Sequence, residues 1–262
     1  MRADQLLVER GLAASRAQAQ RLIAAGVRWR LGGAGWRAVG KNGDELPEGA
    51  ELQLLDDAEA RYVSRGGLKL EGALKACGWD VRGWRCLDVG QSTGGFTDCL
   101  LQRGAAQVVG LDVGHDQLHP RLRDDGRVVC IEGLNARTLQ AGDARVPGAA
   151  QGFELVVGDV SFISLTLVLP ALVPLLRPGG RLLMLVKPQF ELQPGQVGKG
   201  GIVRDATLYA QVEQRLRSAC TALGLQEQGW HTSAIEGGDG NREFFIQATR
   251  PACAPDTAGE AP

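Results

Sequence analysis

The chain has 262 residues, of which 44% are hydrophobic, and its formal net charge is −1. This length suits one or two domains, and a net charge near zero excludes an overall basic field, so nucleic-acid contact requires a local basic patch. The six cysteines show no C-x-x-C spacing, which predicts reduced thiols and no metal site. The N-terminus lacks the apolar region of a signal peptide, and the longest apolar run, 165–176, is too short to span a bilayer. We therefore expect a cytoplasmic protein.

The first 60 residues are predicted to form a small α+β module. A first helical segment ends near Gly11. Ser15 is typical of a helix N-cap, with Gln18 at the capping-box position, and it opens a second helix that Gly26 closes. Three strand-like pieces separated by glycine-rich turns follow: 27–30, 36–39 and 51–55.

Positive charge is concentrated in residues 1–41, where the acids are only Asp4 and Glu9, while 44–59 is acidic. Two interpretations stay open: a solvated charged surface, or contact of the helices and hairpin with RNA phosphates. The segments 6–16 and 21–27 resemble an S4 RNA-binding domain, although the turn at 32–35 is looser than that family's pattern. The resemblance implies binding of structured RNA. The candidate contacts in these helices are Arg10, Arg16 and Arg21.

A linker is predicted at 56–60, followed by a helical pattern that starts before Lys69. Leu70, Ala73 and Leu74 are spaced as the buried face of this helix. A helical lysine is most often simply solvated, so Lys69 becomes a candidate only together with the residues described below. The domain bounds predicted in this way are 1–60, 61–250 and a disordered tail at 251–262.

A glycine-rich turn follows the strand pattern that ends at Val89, and a helical pattern follows the turn. The turn reads G-x-x-x-G-G, which differs from the dinucleotide pattern G-x-G-x-x-G. Gly90 permits a tight turn, and Gly94 and Gly95 would let the backbone approach a ligand closely. A second apolar run ends at Asp112, roughly twenty residues past the turn, where such folds place a carboxylate on a ribose. Together these features favour an adenosine-containing cofactor.

The later strands also end in polar residues. A third strand, 127–131, precedes Asn135, which either holds an adenine or is an ordinary turn residue. A fourth strand ends at Asp159, and a fifth, 181–186, ends at Lys187. The rest of the pattern predicts a helix over 164–176 kinked at Pro170, a turn at 177–180, a polar loop over 189–204 as a candidate lid, a helix over 205–223, and strands at 226–232 and 243–249.

Two lysines and two acids are therefore candidates for one crevice at the ends of the strands. They are Lys69, Asp159, Lys187 and Glu243. Each alone is more often structural, as an ion-pair or cap residue. Together they suit a reaction that activates a weakly acidic hydroxyl, because a lysine stabilises the developing alkoxide and the carboxylates orient the amines.

Five segments between the linker and the last strand carry a family resemblance: 64–70, 88–90 with 92–98, 158–165, 185–191 and 240–244. In them the chain resembles the TlyA family of ribosomal RNA 2′-O-ribose methyltransferases, historically labelled haemolysins, with an FtsJ-type catalytic domain. The resemblance implies an α/β fold: a Rossmann-like, class I methyltransferase doubly wound sheet with a small N-terminal S4-like α+β domain. It also implies that the four residues form the family's catalytic tetrad.

The same resemblance implies S-adenosylmethionine as the cofactor and ribosomal RNA or ribosomal subunits as the partner. The implied cofactor contacts are Asp88, Gly90, Ser92, Thr93, Gly94, Gly95, Asp112, Asn135 and Asp159. Arg65, in the first matching segment, is a further candidate RNA contact. Gln91 departs from the family, which commonly has a small residue there, and we expect its side chain to crowd the methionine end of the cofactor. We expect a monomer and no membrane partner.

The same residues bear on other functions. Methylation of an exocyclic amine is disfavoured because 159–162 contains no proline, and carbon-5 methylation because no cysteine lies near the fourth or fifth strand end. The glycine spacing disfavours a nicotinamide dehydrogenase. Two further alternatives are a non-catalytic S4-type RNA-binding protein and a membrane-lytic haemolysin. The expected acceptor is a cytidine of the small subunit, the large subunit or both.

Overall fold

The computed structural model describes residues 1–55 and 60–252. Its contacts divide the chain into two units, Met1–Leu68 and Lys69–Pro262. The bounds predicted above, 1–60, 61–250 and 251–262, stay predictions. Most of the predicted linker and tail, at 56–59 and 253–262, lies outside the described residues.

The first unit pairs two helices with a small antiparallel sheet in the order β2-β1-β3. The hydroxyl of Ser15 accepts a hydrogen bond from the backbone N–H of Gln18 at 3.3 Å, which confirms the predicted N-cap. Leu6, Leu7 and Leu22 are fully buried in the core of this unit. Its elements are α1 (Ala3–Glu9), α2 (Arg16–Gly26), β1 (Val27–Arg30), β2 (Arg37–Ala38) and β3 (Glu51–Leu54).

A buried carboxylate joins the two helices of this unit. Asp4 is fully buried on α1, and the guanidinium of Arg2 donates two hydrogen bonds of 3.0 Å to it. Arg16, the first residue of α2, donates a third bond of 3.0 Å. The hydrogen bonds from Arg2, helped by Arg16, hold the pKa of Asp4 well below its usual range although burial acts in the opposite direction. The Asp4 carboxylate therefore also fixes the orientation of Arg16.

The remaining elements build an α/β unit around one large sheet. None of the helices in the described ranges is long and apolar enough to cross a membrane. The elements are α3 (Gly66–Cys77), β4 (Arg85–Val89), α4 (Gly95–Gln102), β5 (Gln107–Leu111), α5 (Pro120–Arg123), β6 (Val128–Ile131), β7 (Phe153–Gly158), α6 (Leu169–Leu172), β8 (Leu176–Val186), α7 (Pro188–Glu191), α8 (Thr207–Ala222), β9 (Gln226–Thr232) and β10 (Phe244–Thr249).

The sheet has the order β6-β5-β4-β7-β8-β10-β9. Its first five strands are mutually parallel, and β10 runs antiparallel to both of its neighbours. The strand order reverses direction between β4 and β7, and a ligand crevice is expected at the carboxyl ends of the strands at such a point. The predicted doubly wound α/β fold is confirmed.

Three predicted elements differ from the structure. The helix expected over 164–176 is broken into a 3₁₀ turn, the short α6 and a second 3₁₀ turn, because two prolines, at 170 and 174, interrupt its hydrogen bonds. The turn expected at 177–180 lies within β8, as a bulge where Gly179 (φ +75°) donates to the carbonyl of Arg250 at 2.9 Å. The polar loop expected over 189–204 begins with a helical turn whose last residue, Glu191, is only 3% exposed.

The buried acid of the first unit generates a stability prediction. Asp4→Asn removes the charge that holds Arg2 and Arg16, so we expect hydrogen exchange of the α1 and α2 amides at pH 7 to accelerate by about tenfold. Because the folded pKa of Asp4 is lowered, its contribution is complete above the unfolded pKa and declines as the pH falls below about 4. The difference between the variant and the wild type should therefore shrink at pH 3.

The control is Glu9→Gln, which changes an exposed acid on the same helix. Native-state hydrogen exchange followed by mass spectrometry resolves the two helices. Equal exchange in Asp4→Asn and wild type at pH 7, or an equal difference at both pH values, would contradict the assigned role of Asp4.

Candidate active site

The turn after β4 depends on glycine at its first position. Gly90 has φ +81°, and its N–H donates to the carbonyl of Leu111 at 2.8 Å. A Cβ atom at this position would lie 2.6 Å from the carbonyl oxygen of Asp159. The left-handed conformation and this close approach both require glycine. The ends of β4 and β7 can therefore meet beside the crevice.

A carboxylate at the end of β5 is fixed by the backbone around it. The two carboxylate oxygens of Asp112 accept hydrogen bonds from the N–H groups of Ser92 and Gly114, each at 2.7 Å. The first bond reaches back to the turn after β4, where Ser92 has φ +48°. Asp112 is thus held at the place where the sequence predicted a ribose contact.

A cavity of about 470 Å³ opens at these strand ends. This volume falls within the range of small-molecule sites, and its walls combine apolar side chains with a few polar ones. Five of the nine predicted cofactor contacts line it: Gly90, Ser92, Asp112, Asn135 and Asp159. The sequence analysis did not identify several other lining residues, among them Val113, Gln117, Leu134, Ser161, Phe162 and Ile163.

The other four predicted contacts do not line the cavity. Asp88 is fully buried within β4. Gly94 has φ +92° and packs against two leucine side chains. A Cβ atom at this position would lie 2.4 Å from Leu122 and 2.8 Å from Leu118. Thr93 and Gly95 flank it in the same turn. These residues therefore contribute to the conformation of the turn, while their contact with the cofactor stays a prediction.

The side chain of Gln91, the departure from the family pattern, lies away from the cavity. It is only 3% exposed, lies against β5 and does not line the cavity. The amide donates to the hydroxyl of Thr97 at 2.9 Å, and that hydroxyl donates to Asp88 at 2.7 Å. Gly110 provides the space, because a Cβ atom there would lie 2.0 Å from the amide of Gln91. The larger residue therefore ties the turn to α4.

The two lysine candidates each form an ion pair with one of the acid candidates. Lys187 Nζ lies 2.6 Å from Asp159 Oδ1, and Lys69 Nζ lies 2.5 Å from Glu243 Oε2. Asp159 follows β7 and Lys187 follows β8, so both lie at the carboxyl edge of the parallel strands. Because β10 is antiparallel, its first residues lie at that edge too, and Phe244 pairs with Val186. The fold thus brings Glu243 to the position opposite Lys187.

Burial and charge act against each other at Glu243. The residue is 3% exposed, and burial raises the pKa of its carboxyl group, while the adjacent ammonium of Lys69 lowers it. The charges of Asp159 and Lys187 also act on this pKa, so the two ion pairs are electrostatically coupled. Two ammonium groups, each balanced by a carboxylate, provide donors for an oxygen that develops negative charge.

Ser161 and Phe162, which follow Asp159 in the chain, make contacts that the sequence analysis did not predict. The ammonium of Lys187 donates a hydrogen bond to the hydroxyl of Ser161 at 2.7 Å. Phe162 has φ +62° and is 89% exposed, and its ring centre lies 5.0 Å from that of Phe190. A positive φ is unfavourable for a residue other than glycine and is often found at functional sites. An exposed aromatic ring at the rim of a cavity is a candidate ligand contact. The only sequence signal was an aromatic residue shortly after a strand-ending acid.

The candidate RNA contacts all belong to the first unit. Arg16 is held by Asp4, Arg21 donates to the carbonyl of Ala17 at 3.2 Å, and Arg10 donates to the carbonyl of Glu48. Arg65 lies directly before α3. Within the described ranges, no group of three or more His, Cys, Asp or Glu side chains is arranged to hold a metal ion.

Comparisons with known proteins agree with this geometry. The model of the FtsJ-like methyltransferase family matches residues 62–250. A Mycobacterium tuberculosis protein named 16S/23S rRNA (cytidine-2′-O)-methyltransferase TlyA is 48% identical over 252 residues, covering 94% of this chain and 88% of the relative. Hemolysin A of Brachyspira hyodysenteriae is 38% identical over 247 residues, covering 94% and 98%.

A solved structure is similar over nearly the whole chain. It is a hemolysin candidate from Streptococcus thermophilus, with a TM-score of 0.72 and 39% identity, and the match covers 96% of this chain and 88% of that one. The similarity extends across both units described above.

The buried acid of β4 generates a pH-dependent prediction. Burial raises the pKa of Asp88 to about 7, against the hydrogen bond from Thr97. The folded state then holds this proton more tightly than the unfolded state, so the stability it confers is present at low pH and is lost as the pH rises from about 4 to about 7. Asp88→Asn stays neutral, and we expect its melting temperature to exceed that of the wild type by more at pH 8 than at pH 5.

Calorimetry of the cofactor-free protein at the two pH values measures this difference. The control is Asp124→Asn, an exposed acid, for which the difference from wild type should be small and independent of pH. A melting-temperature difference for Asp88→Asn that is the same at pH 5 and pH 8 would show that Asp88 does not titrate in this range.

Proposed function

Because the chain belongs to the FtsJ-like methyltransferase family, we infer that it transfers a methyl group from S-adenosylmethionine to a ribose 2′-hydroxyl of ribosomal RNA. One observation supports a ribose hydroxyl as the methyl acceptor. Two lysine–carboxylate pairs, Lys187–Asp159 and Lys69–Glu243, meet at one edge of the sheet beside the cavity. A hydroxyl is a weak acid, and a lysine ammonium group stabilises the negative charge that develops on its oxygen.

The cavity residues fit the cofactor. The fixed carboxylate of Asp112 suits the two hydroxyls of a ribose, and the apolar side chains of Val113 and Leu134 suit an adenine ring. The turn at Gly90 closely approaches the backbone of Asp159, and the methionine portion would lie there. Bound there, S-adenosylmethionine supplies an electrophilic methyl group carried by its sulfonium.

Lys187 acts on the acceptor oxygen. Its Nζ would donate to the 2′-oxygen and lower the free energy of the negative charge that develops there as the hydroxyl proton leaves to water and the oxygen takes up the methyl group. Asp159 holds this amine in place at 2.6 Å. Lys69 and Glu243, the second ion pair at this end of the sheet, would help to fix the ribose. Much of the rate comes from holding the two reactants in line within this edge.

Recognition of the RNA is shared between the units. The S4-like first unit would bind phosphates through Arg10, Arg16, Arg21 and Arg65, and the related proteins named as rRNA methyltransferases support a cytidine acceptor in ribosomal RNA. The exposed ring of Phe162, which follows the Lys187 contact Ser161 in the chain, suits stacking on an unpaired base. The proposed activity supports a cytoplasmic location, because it requires access to ribosomal RNA.

The role of Lys187 is tested by Lys187→Ala. We expect methyl transfer to fall by about a hundredfold or more, because the donor to the developing alkoxide is lost, while cofactor affinity stays nearly unchanged. Transfer from tritiated cofactor to ribosomal subunits measures the first quantity, and calorimetric titration the second. Lys75→Ala, at an exposed position on α3, is the control. Full activity in Lys187→Ala would remove this residue from the mechanism.

The role of Phe162 is tested by Phe162→Ala and Phe162→Tyr. Loss of base stacking should raise the KM for RNA about tenfold in the alanine variant, since one stacked base contributes about 1–3 kcal/mol. The tyrosine variant keeps an aromatic face and should behave like the wild type. Steady-state kinetics with varied RNA and saturating cofactor measure KM. An unchanged KM in Phe162→Ala would show that this ring does not contact the substrate.

A further inference from the structure

The ammonium of Lys187 is directed by two different oxygens. It lies 2.6 Å from Asp159 Oδ1, and it donates a hydrogen bond of 2.7 Å to the hydroxyl of Ser161. A lysine ammonium has three N–H donors that can rotate about the last carbon–nitrogen bond. These donors turn together, so a second partner resists the rotation and bending that a single ion pair would allow. The Ser161 hydroxyl, together with Asp159, therefore restricts where the third donor points.

The segment that carries Ser161 is itself held in place. The ring of Phe162 lies against Phe190, one turn after Lys187 along the chain. The carboxylate of Glu191 accepts hydrogen bonds from the hydroxyl of Ser164 and from the N–H of Leu165, each at 2.7 Å. This carboxylate is 3% exposed and is paired with an arginine of α8. The position of the Ser161 hydroxyl is therefore set by the same helical turn that follows Lys187.

We propose that Ser161 is a positioning residue for methyl transfer: its hydroxyl holds the ammonium of Lys187 so that the remaining N–H points at the acceptor 2′-oxygen. The inference rests on the proposed function, because it presumes that Lys187 acts on a hydroxyl. It adds a fifth side chain to the four that the sequence brought forward. Ser161 undergoes no covalent change.

The structure also defines the opposite case. The Ser161 hydroxyl could occupy the place of the acceptor hydroxyl and leave when RNA binds. Removing it would then relieve a competing contact, so the reaction would proceed at the wild-type rate or faster. The two cases therefore differ in the sign of the effect that a Ser161 substitution has on turnover.

The test compares Ser161→Ala, Ser161→Cys and Ser161→Thr in the full-length protein, with Ser218→Ala, an exposed serine on α8, as the control. We expect kcat to fall by about ten- to a hundredfold in the alanine variant, in line with the loss of one hydrogen bond to a charged group. The cysteine variant, whose sulfur is a weak acceptor, should also be slow. Threonine keeps the hydroxyl and should restore most of the rate.

The readout separates positioning from binding and from folding. Ser161 lines the cavity, but its hydroxyl is engaged by the ammonium of Lys187. The KM for ribosomal subunits and the Kd for S-adenosylmethionine should therefore stay within about twofold of wild type in all variants. Unchanged or higher kcat in Ser161→Ala overturns the proposal. Loss of rate that threonine does not restore, or that is matched by a rise in KM or Kd, overturns it as well. If the wild type itself does not methylate ribose, the proposed function fails instead, and the two failures are distinguishable.

Discussion

The arrangement of the catalytic unit depends on the pairing of charges that the fold removes from water. Lys69 and Glu243 have side chains that are 10% and 3% exposed, and an unpaired charge at such a depth would destabilise the fold strongly. Their ion pair therefore joins α3 to the start of β10. The second pair, Lys187 with Asp159, joins the ends of β8 and β7. The same contacts that join the ends of these elements form the candidate site.

Strand direction decides which residues can take part. In an entirely parallel sheet, the residue before a strand would lie at the opposite edge from the residues that follow the other strands. The antiparallel direction of β10 reverses this, so Glu243, which precedes its strand, meets Lys187, which follows its strand. The glycine at position 90 has a comparable role, because it lets the ends of β4 and β7 approach closely enough to form one cavity.

Much of this could be predicted from the sequence, and the remainder could not for physical reasons. Apolar runs bounded by turn residues identified β1 and β9 with the bounds that the structure has, and the end of β4 at Val89. The early start of β8 was missed because its bulge depends on pairing with Arg250, far along the chain. The direction of the Gln91 side chain depends on the space that Gly110 leaves on β5. The hydrogen bond between Lys187 and Ser161 depends on a loop that tertiary contacts hold in place. Local sequence patterns do not predict contacts between residues that are distant in the chain.

The acceptor atom is the most direct test of the account. Ribosomal RNA from cells that lack the protein can be incubated with the purified chain and isotopically labelled S-adenosylmethionine, digested to nucleosides and analysed by tandem mass spectrometry. Because the candidate site would present two lysine ammonium groups to a hydroxyl, the label should be found on the ribose fragment of cytidine. A label found on the base fragment would contradict the account.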